Sequence, residues 1–188
     1  MSPNPDHNIR MKPDLGGGAL LDAGSYPVSL IRLVMGCAPE RVMAHANWAD
    51  TGVDINLMAT LFYADGRRAQ MSCAMDTANH RRATIVGSRG TVETEYLNHT
   101  SDSQTHAWGY LPSQLRVRQG IANSVPFEEI RSASGSGFRF AAEAFAKVVR
   151  EQDMPAIDRA AVASHDIAAT LDAIQASAKT GQAVRLSH

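Results

Sequence analysis

The sequence predicts an α+β fold: an open, mostly antiparallel β-sheet with helices packed on one face. Three features of the chain carry that prediction. A segment with helical spacing opens the patterned part, a series of period-two segments joined by short glycine turns follows, and two further helical segments close it, with no alternation of strand and helix along the way. A length of 188 residues with 44% hydrophobic and 20% charged content fits one domain whose core buries roughly 70% of the extended chain's surface.

Met1 to Leu15 hold three of the eight prolines and no period, which predicts an irregular arm. From Gly18 to Met35 the residues Leu20, Leu21, Val28, Ile31, Val34 and Met35 recur at helical spacing, and Gly36 stands where a left-handed C-cap belongs. Pro27 inside this helix predicts a kink near Ala23 to Tyr26. Alternation then predicts strands over Val42–Trp48, Val53–Tyr63 and Ala69–Met75, the last two joined by an Asp65-Gly66 hairpin. A second hairpin pairs Ala83–Val86 with Thr91–Glu95 through Gly87-Ser88-Arg89-Gly90, its short arms suiting a sheet edge. Leu97 to Tyr110 reads as a loop, Leu115–Gln119 and Val125–Ile130 as weak strands, and Ser132–Gly137 as a short linker. Phe138, Ala141, Ala142, Phe145, Val148 and Val149 form one helical stripe. Ala163, Ile167, Leu171, Ile174 and Ala178 form another, with Asp158 as the expected N-cap, Gly181 as the stop and Val184–Leu186 as a last short strand. The expected organisation is a single unit, 1–188, divided into an irregular arm (1–15), a glycine turn and helix (16–36), a sheet (42–130) and C-terminal helices (137–180).

Eighteen basic residues against nineteen acidic ones, with no basic stripe, leave no electrostatic footprint for nucleic acid or an anionic membrane. No run of eighteen apolar residues occurs and the N-terminus lacks the features of a signal peptide, so the expected location is cytoplasmic. Cys37 and Cys73 have no partner at metal-ligand spacing; both are expected to be buried thiols, and no metal site is expected. His80, His99 and His106 read as solvated or packed residues, Glu128 and Glu129 as facing opposite ways on a strand, and Met58, Met71 and Met75 as sheet-face packing. Trp48 and Trp108 fit core or interface equally. Helices on one face leave the other, with Met58 and Phe62, to meet a second subunit or domain.

The stretch Gly16 to Pro27 is the candidate site, because glycines at a helix start let a ligand approach backbone donors. Asp22 and Tyr26 are four apart and so share a helix face, where a carboxylate can orient a phenol. A free phenol titrates near about 10, so acid/base work at neutral pH needs a nearby cation or hydrogen-bond partner. A glycine-rich turn bearing a surface Asp and a half-buried Tyr is the plainer alternative.

The run Asn8-Ile9-Arg10, Gly16 to Asp22, Gly24, Tyr26-Pro27-Val28-Ser29, Arg32 and Gly36 resembles the motif opening the C-terminal domain of the glucose-fructose oxidoreductase / inositol dehydrogenase (Gfo/Idh/MocA) family, especially its dihydrodiol and xylose dehydrogenase-like branch. Ile85 to Glu93 resembles the family's glycine hairpin, and Ser177 to Gln182 its closing helix end. The resemblance implies a dihydrodipicolinate reductase-like C-terminal domain that binds substrate and forms a homodimer through its sheet face. In the complete two-domain enzyme, NAD or NADP sits in an N-terminal Rossmann domain, and the substrates are sugars, polyols and related alcohols or carbonyls. It places Tyr26 and Asp22 as catalytic residues, with Arg10, Gly17 and Gly18 in the substrate site.

A Rossmann domain takes on the order of 120 residues, and nothing before Gly16 can supply one. Gly87–Gly90 joins two strands and Gly135-Ser136-Gly137 lacks the third glycine of a dinucleotide turn, so no cofactor-binding residue and no tight cofactor binding are expected in this chain. Lys12-Pro13 evokes the family's Glu-Lys-Pro motif, but Met11 replaces the glutamate and Lys12 reads as a loop lysine. The expected function is therefore the substrate-binding and dimerisation half of an NAD(P)-dependent oxidoreductase, inactive alone, with a separate Rossmann domain as a partner. The alternative is a stand-alone, non-catalytic binding or dimerisation module derived from that domain.

Overall fold

The computed structural model describes residues 8–95, 114–130 and 135–186. They form two compact units, one from 1–78 with 157–188 and the other 79–156.

In the first unit, short 3₁₀ turns at Ile9–Met11 and Pro13–Leu15 lead through the glycines into a π-helical turn, Leu20–Gly24, and helix α1, Ser25–Met35. Strands β1 (Arg41–Trp48), β2 (Asp54–Phe62) and β3 (Arg68–Ala74) follow, and the C-terminal helix α3 (Met154–Thr180) returns the chain to β8 (Val184–Arg185). The sheet order is β3-β2-β1-β8, and each pairing is antiparallel. Alternation places Val42, Ala44, Leu57, Ala59, Leu61, Met71 and Cys73 on one face, buried with Leu20, Val28, Leu171 and Ile174. The opposite face is open, and Met58 there is 61% exposed.

In the second unit, β4 (Arg82–Gly87), β5 (Gly90–Glu95), β6 (Gln114–Gln119) and β7 (Glu128–Ile130) form an antiparallel meander in chain order. Helix α2, Gly137–Glu151, also belongs to it. The expected α+β class and antiparallel pairing hold, with two four-stranded sheets in place of one continuous sheet.

Several expectations are corrected. The helical irregularity is the π turn at Leu20–Gly24, one turn before Pro27; the proline falls in the first turn of α1, where a missing donor costs little. Helix α3 begins at Met154, not beyond Asp158: Asp153 accepts from the Ala156 amide at 3.0 Å, and Pro155 occupies the first turn. Cys37 is exposed, just past the left-handed Gly36 cap, while Cys73 is buried. The methionines divide: Met58 pairs with Ser72 on the open face, whereas Met71 pairs with Ala59 on the covered one. β4 is an edge strand but β5 is interior. Helix α2 has its apolar period yet no buried residue, leaving Phe138 67% and Phe145 72% exposed. His80 is exposed as expected. His99, His106, Trp108, the Leu97–Tyr110 loop and residues 132–134 of the 132–137 linker lie outside the described residues.

Candidate active site

The site is built by the arm folding back onto the glycines. The Gly18 amide donates to the Arg10 carbonyl at 2.8 Å and the Gly17 amide to the Lys12 carbonyl at 3.0 Å. A side chain at 17 would bring its Cβ to 2.5 Å from the Arg10 carbonyl oxygen, so this close approach requires glycine. The Gly18 carbonyl in turn accepts from the Asp22 amide at 3.2 Å. Gly18 therefore ties Arg10 from one side and Asp22 from the other. Their side chains meet: Arg10 Nε lies 2.7 Å from Asp22 Oδ1. Gly17 and Gly18 thus direct their amides to the chain's own carbonyls rather than outward, and their role in the fold is to bring the arm to the helix.

Tyr26 stands one turn beyond Asp22, 38% exposed, and the Asp22 side chain is exposed to the same degree. The exposed Arg10–Asp22 pair contributes little to stability by itself. Its chemical consequence is a guanidinium and a carboxylate held together one turn before a solvent-accessible phenol. The π turn spans Asp22, and wide turns of this kind are frequent at functional positions. It is held from below at Gly24, where an added Cβ would come 2.9 Å from Leu20 Cδ1 and 3.1 Å from Cys73 Sγ on β3. Only glycine lets the turn settle so close to the sheet.

Alternation alone does not reveal Asp54. Strict period two along Val53, Ile55 and Leu57 points it to the open face. A register shift between Asn47 and Trp48 pairs Trp48 with Asp54 but Asn47 with Asn56, and the bulge turns Asp54 into the covered face. There it is 3% exposed and accepts from the Leu20 amide, at the start of the π turn, at 2.7 Å. Nothing in the residue string announces the bulge.

The glycine turns do not suit a dinucleotide. Gly17 and Gly18 have their amides occupied and the Asp54 carboxylate against Gly18, which opposes a phosphate. Gly87 and Gly90 pair with each other in a hairpin. All sheet pairings among the described residues are antiparallel, so the parallel strand, glycine turn and helix of a dinucleotide site are missing from them. Among the described residues no cluster of histidine, cysteine or acid suits a metal, and no helix is long and apolar enough to cross a membrane.

An open antiparallel sheet with one face covered by helices, carrying an Arg, Asp and Tyr at a glycine-led helix start, defines the class of domain that the motif implies. Residues 1–93 match the model of the GFO/IDH/MocA C-terminal domain, and the chain belongs to that family. It is 31% identical to the D-xylose 1-dehydrogenase (NADP(+)) 2 of Haloferax volcanii over 185 residues, 98% of this chain and 53% of that protein. It is also 31% identical to the trans-1,2-dihydrobenzene-1,2-diol dehydrogenase of Danio rerio, over 69% of this chain and 36% of the relative. Among solved structures it is similar to a 3-ketoreductase from Actinomadura kijaniata in complex with NADP and TDP-benzene. The TM-score is 0.74 at 26% identity, covering 93% of this chain and 50% of that one. The chain thus spans about half the length of the xylose dehydrogenase and of the ketoreductase.

Proposed function

We propose that this chain is the substrate-binding and dimerisation half of an NAD(P)-dependent oxidoreductase acting on a sugar, polyol or related alcohol or carbonyl, and that it is inactive without a dinucleotide-binding partner domain. The observation that carries the reading is the contact of Arg10 with Asp22 at 2.7 Å, one turn before the exposed Tyr26. Tyr26 donates a proton to, or accepts one from, the substrate oxygen. Asp22 orients the polar groups around it, and Arg10 lines the substrate pocket while neutralising Asp22. Gly18 shapes the pocket by holding Arg10, and Gly17 by holding Lys12. The two compact units act together as one substrate-binding half. Support comes from the family membership and from relatives named as an NADP(+) D-xylose 1-dehydrogenase and a trans-1,2-dihydrobenzene-1,2-diol dehydrogenase. The open face of the first sheet, with Met43 and Met58 exposed, is the proposed homodimer surface.

A titration of the 188-residue chain with NADPH and with D-xylose, followed by amide chemical shifts, tests this reading. The expected result is no tight nucleotide binding, together with sugar-dependent shifts at Arg10, Asp22 and Tyr26. Tight NADPH binding, or saturating sugar shifts that avoid those residues, contradicts it.

A further inference from the structure

We infer that Asp54 is a positioning residue for the Asp22–Tyr26 pair, an inference that rests on the reading of that pair given above. A carboxylate 3% exposed, with no ion-pair partner among the described residues, is costly to bury. An apolar residue would fill the same space without that cost. What offsets the burial is the start of the π turn: the Leu20 amide donates to Asp54 Oδ2 at 2.7 Å, and the positive end of the helical segment faces the charge. The other oxygen, Oδ1, presses against Gly18 so closely that any side chain there would collide with it. Asp54 therefore grips two consecutive links of the site. One is the glycine whose amide holds Arg10 and whose carbonyl holds Asp22; the other is the first residue of the turn that carries Asp22 and leads to Tyr26. The anchor reaches the site from β2, a strand embedded between two neighbours, so the orientation of a surface pair is referred to the most constrained part of the sheet. The bulge at Asn47/Trp48 is what aims Asp54 there.

Solution NMR on the full chain tests this without nucleotide or substrate. In the unsubstituted protein, a through-hydrogen-bond scalar coupling between the Leu20 amide nitrogen and the Asp54 carboxyl carbon is expected, and its absence overturns the inference even if every variant fails to fold. In Asp54→Asn and Asp54→Ala, amide exchange at Leu20 and Asp22 should rise about tenfold or more relative to Ala59 in β2, the effect of losing one charge-assisted bond. The Tyr26 ring resonances should move with it. Exchange that rises equally at Leu20 and Ala59, or Tyr26 ring resonances that stay in place, marks Asp54 as a core residue only and sinks the inference. These readings are independent of whether Tyr26 handles a proton, so failure of the proposed function leaves them intact and their failure leaves it intact.

Discussion

Gly18→Ala isolates the close approach on which the site depends. Gly18 has φ +117°, a conformation that an L side chain adopts at a cost of about 1–2 kcal/mol. The new methyl would also collide with Asp54 Oδ1 and break the 2.7 Å bond from the Leu20 amide, a charged hydrogen bond worth about 1.5–3 kcal/mol. Together these predict a loss of about 3–5 kcal/mol, a large share of the 5–15 kcal/mol typical of a folded domain. Gly36→Ala is the internal control: φ is +80°, but nothing lies within 4 Å of the added Cβ, so only backbone strain of about 1 kcal/mol is expected. Urea unfolding followed by circular dichroism separates the two. With a slope of about 2 kcal/mol/M, Gly18→Ala should lower the midpoint by about 2 M and Gly36→Ala by about 0.5 M. In an Asp54→Ala background the Gly18→Ala effect should shrink to that of the control, because the collision is gone. Equal losses for the two glycines, or an undiminished Gly18→Ala effect without Asp54, would refute the reasoning.

The thiols should separate sharply, since burial, with the Asp54 charge adding to it, pushes Cys73 up to about 12, whereas Cys37 is exposed. A thiol reagent at pH 8 should modify Cys37 rapidly and Cys73 only on unfolding, and similar rates would contradict the packing. Alkaline stability follows from the same shift. The native state keeps protons on Cys73, and on Tyr63, which burial also raises to about 12, after the unfolded chain has released them. Stability should therefore be level below about pH 9 and fall between about pH 9 and 12 by up to about 1.4 kcal/mol per pH unit per group, with Cys73→Ala flattening part of the slope in a pH series of melts. Arg32 on α1 and Asp166 on α3 form a part-buried pair at 2.6 Å, both side chains 18% exposed. Arg32→Ala should cost about 2 kcal/mol, and a double-mutant cycle with Asp166→Ala should give a coupling of at least about 1 kcal/mol.

How much of this was legible beforehand divides along physical lines. Local chemistry wrote itself into the string: the Asp65-Gly66 hairpin, the Gly36 and Gly181 caps and the alternation of β1 to β3 all appear where the sequence puts them. The pairing of Arg10 with Asp22 depends on backbone hydrogen bonds between the arm and the glycines, which residue spacing does not specify; only the motif's resemblance placed them together. Asp54 was hidden for a related reason. One extra residue in a strand reverses which face a side chain meets, and the bulge has no sequence mark. The start of α3 was legible in Asp153-Met154-Pro155, an acceptor followed by a first-turn proline, although the later Asp158 looked the better cap. Burial of Cys37 and of the α2 stripe was misjudged because an apolar neighbourhood in sequence says nothing of what lies over it in space.

The proposed role of Tyr26 is tested most directly by supplying a matching dinucleotide-binding domain, measuring turnover of a sugar or polyol, and comparing Tyr26→Phe with the unsubstituted chain. Loss of a positioned acid/base group predicts a fall in kcat of about 10²-fold or more, with Asp22→Asn falling in the same direction. An active assembly in which Tyr26→Phe turns over at the original rate would contradict the account.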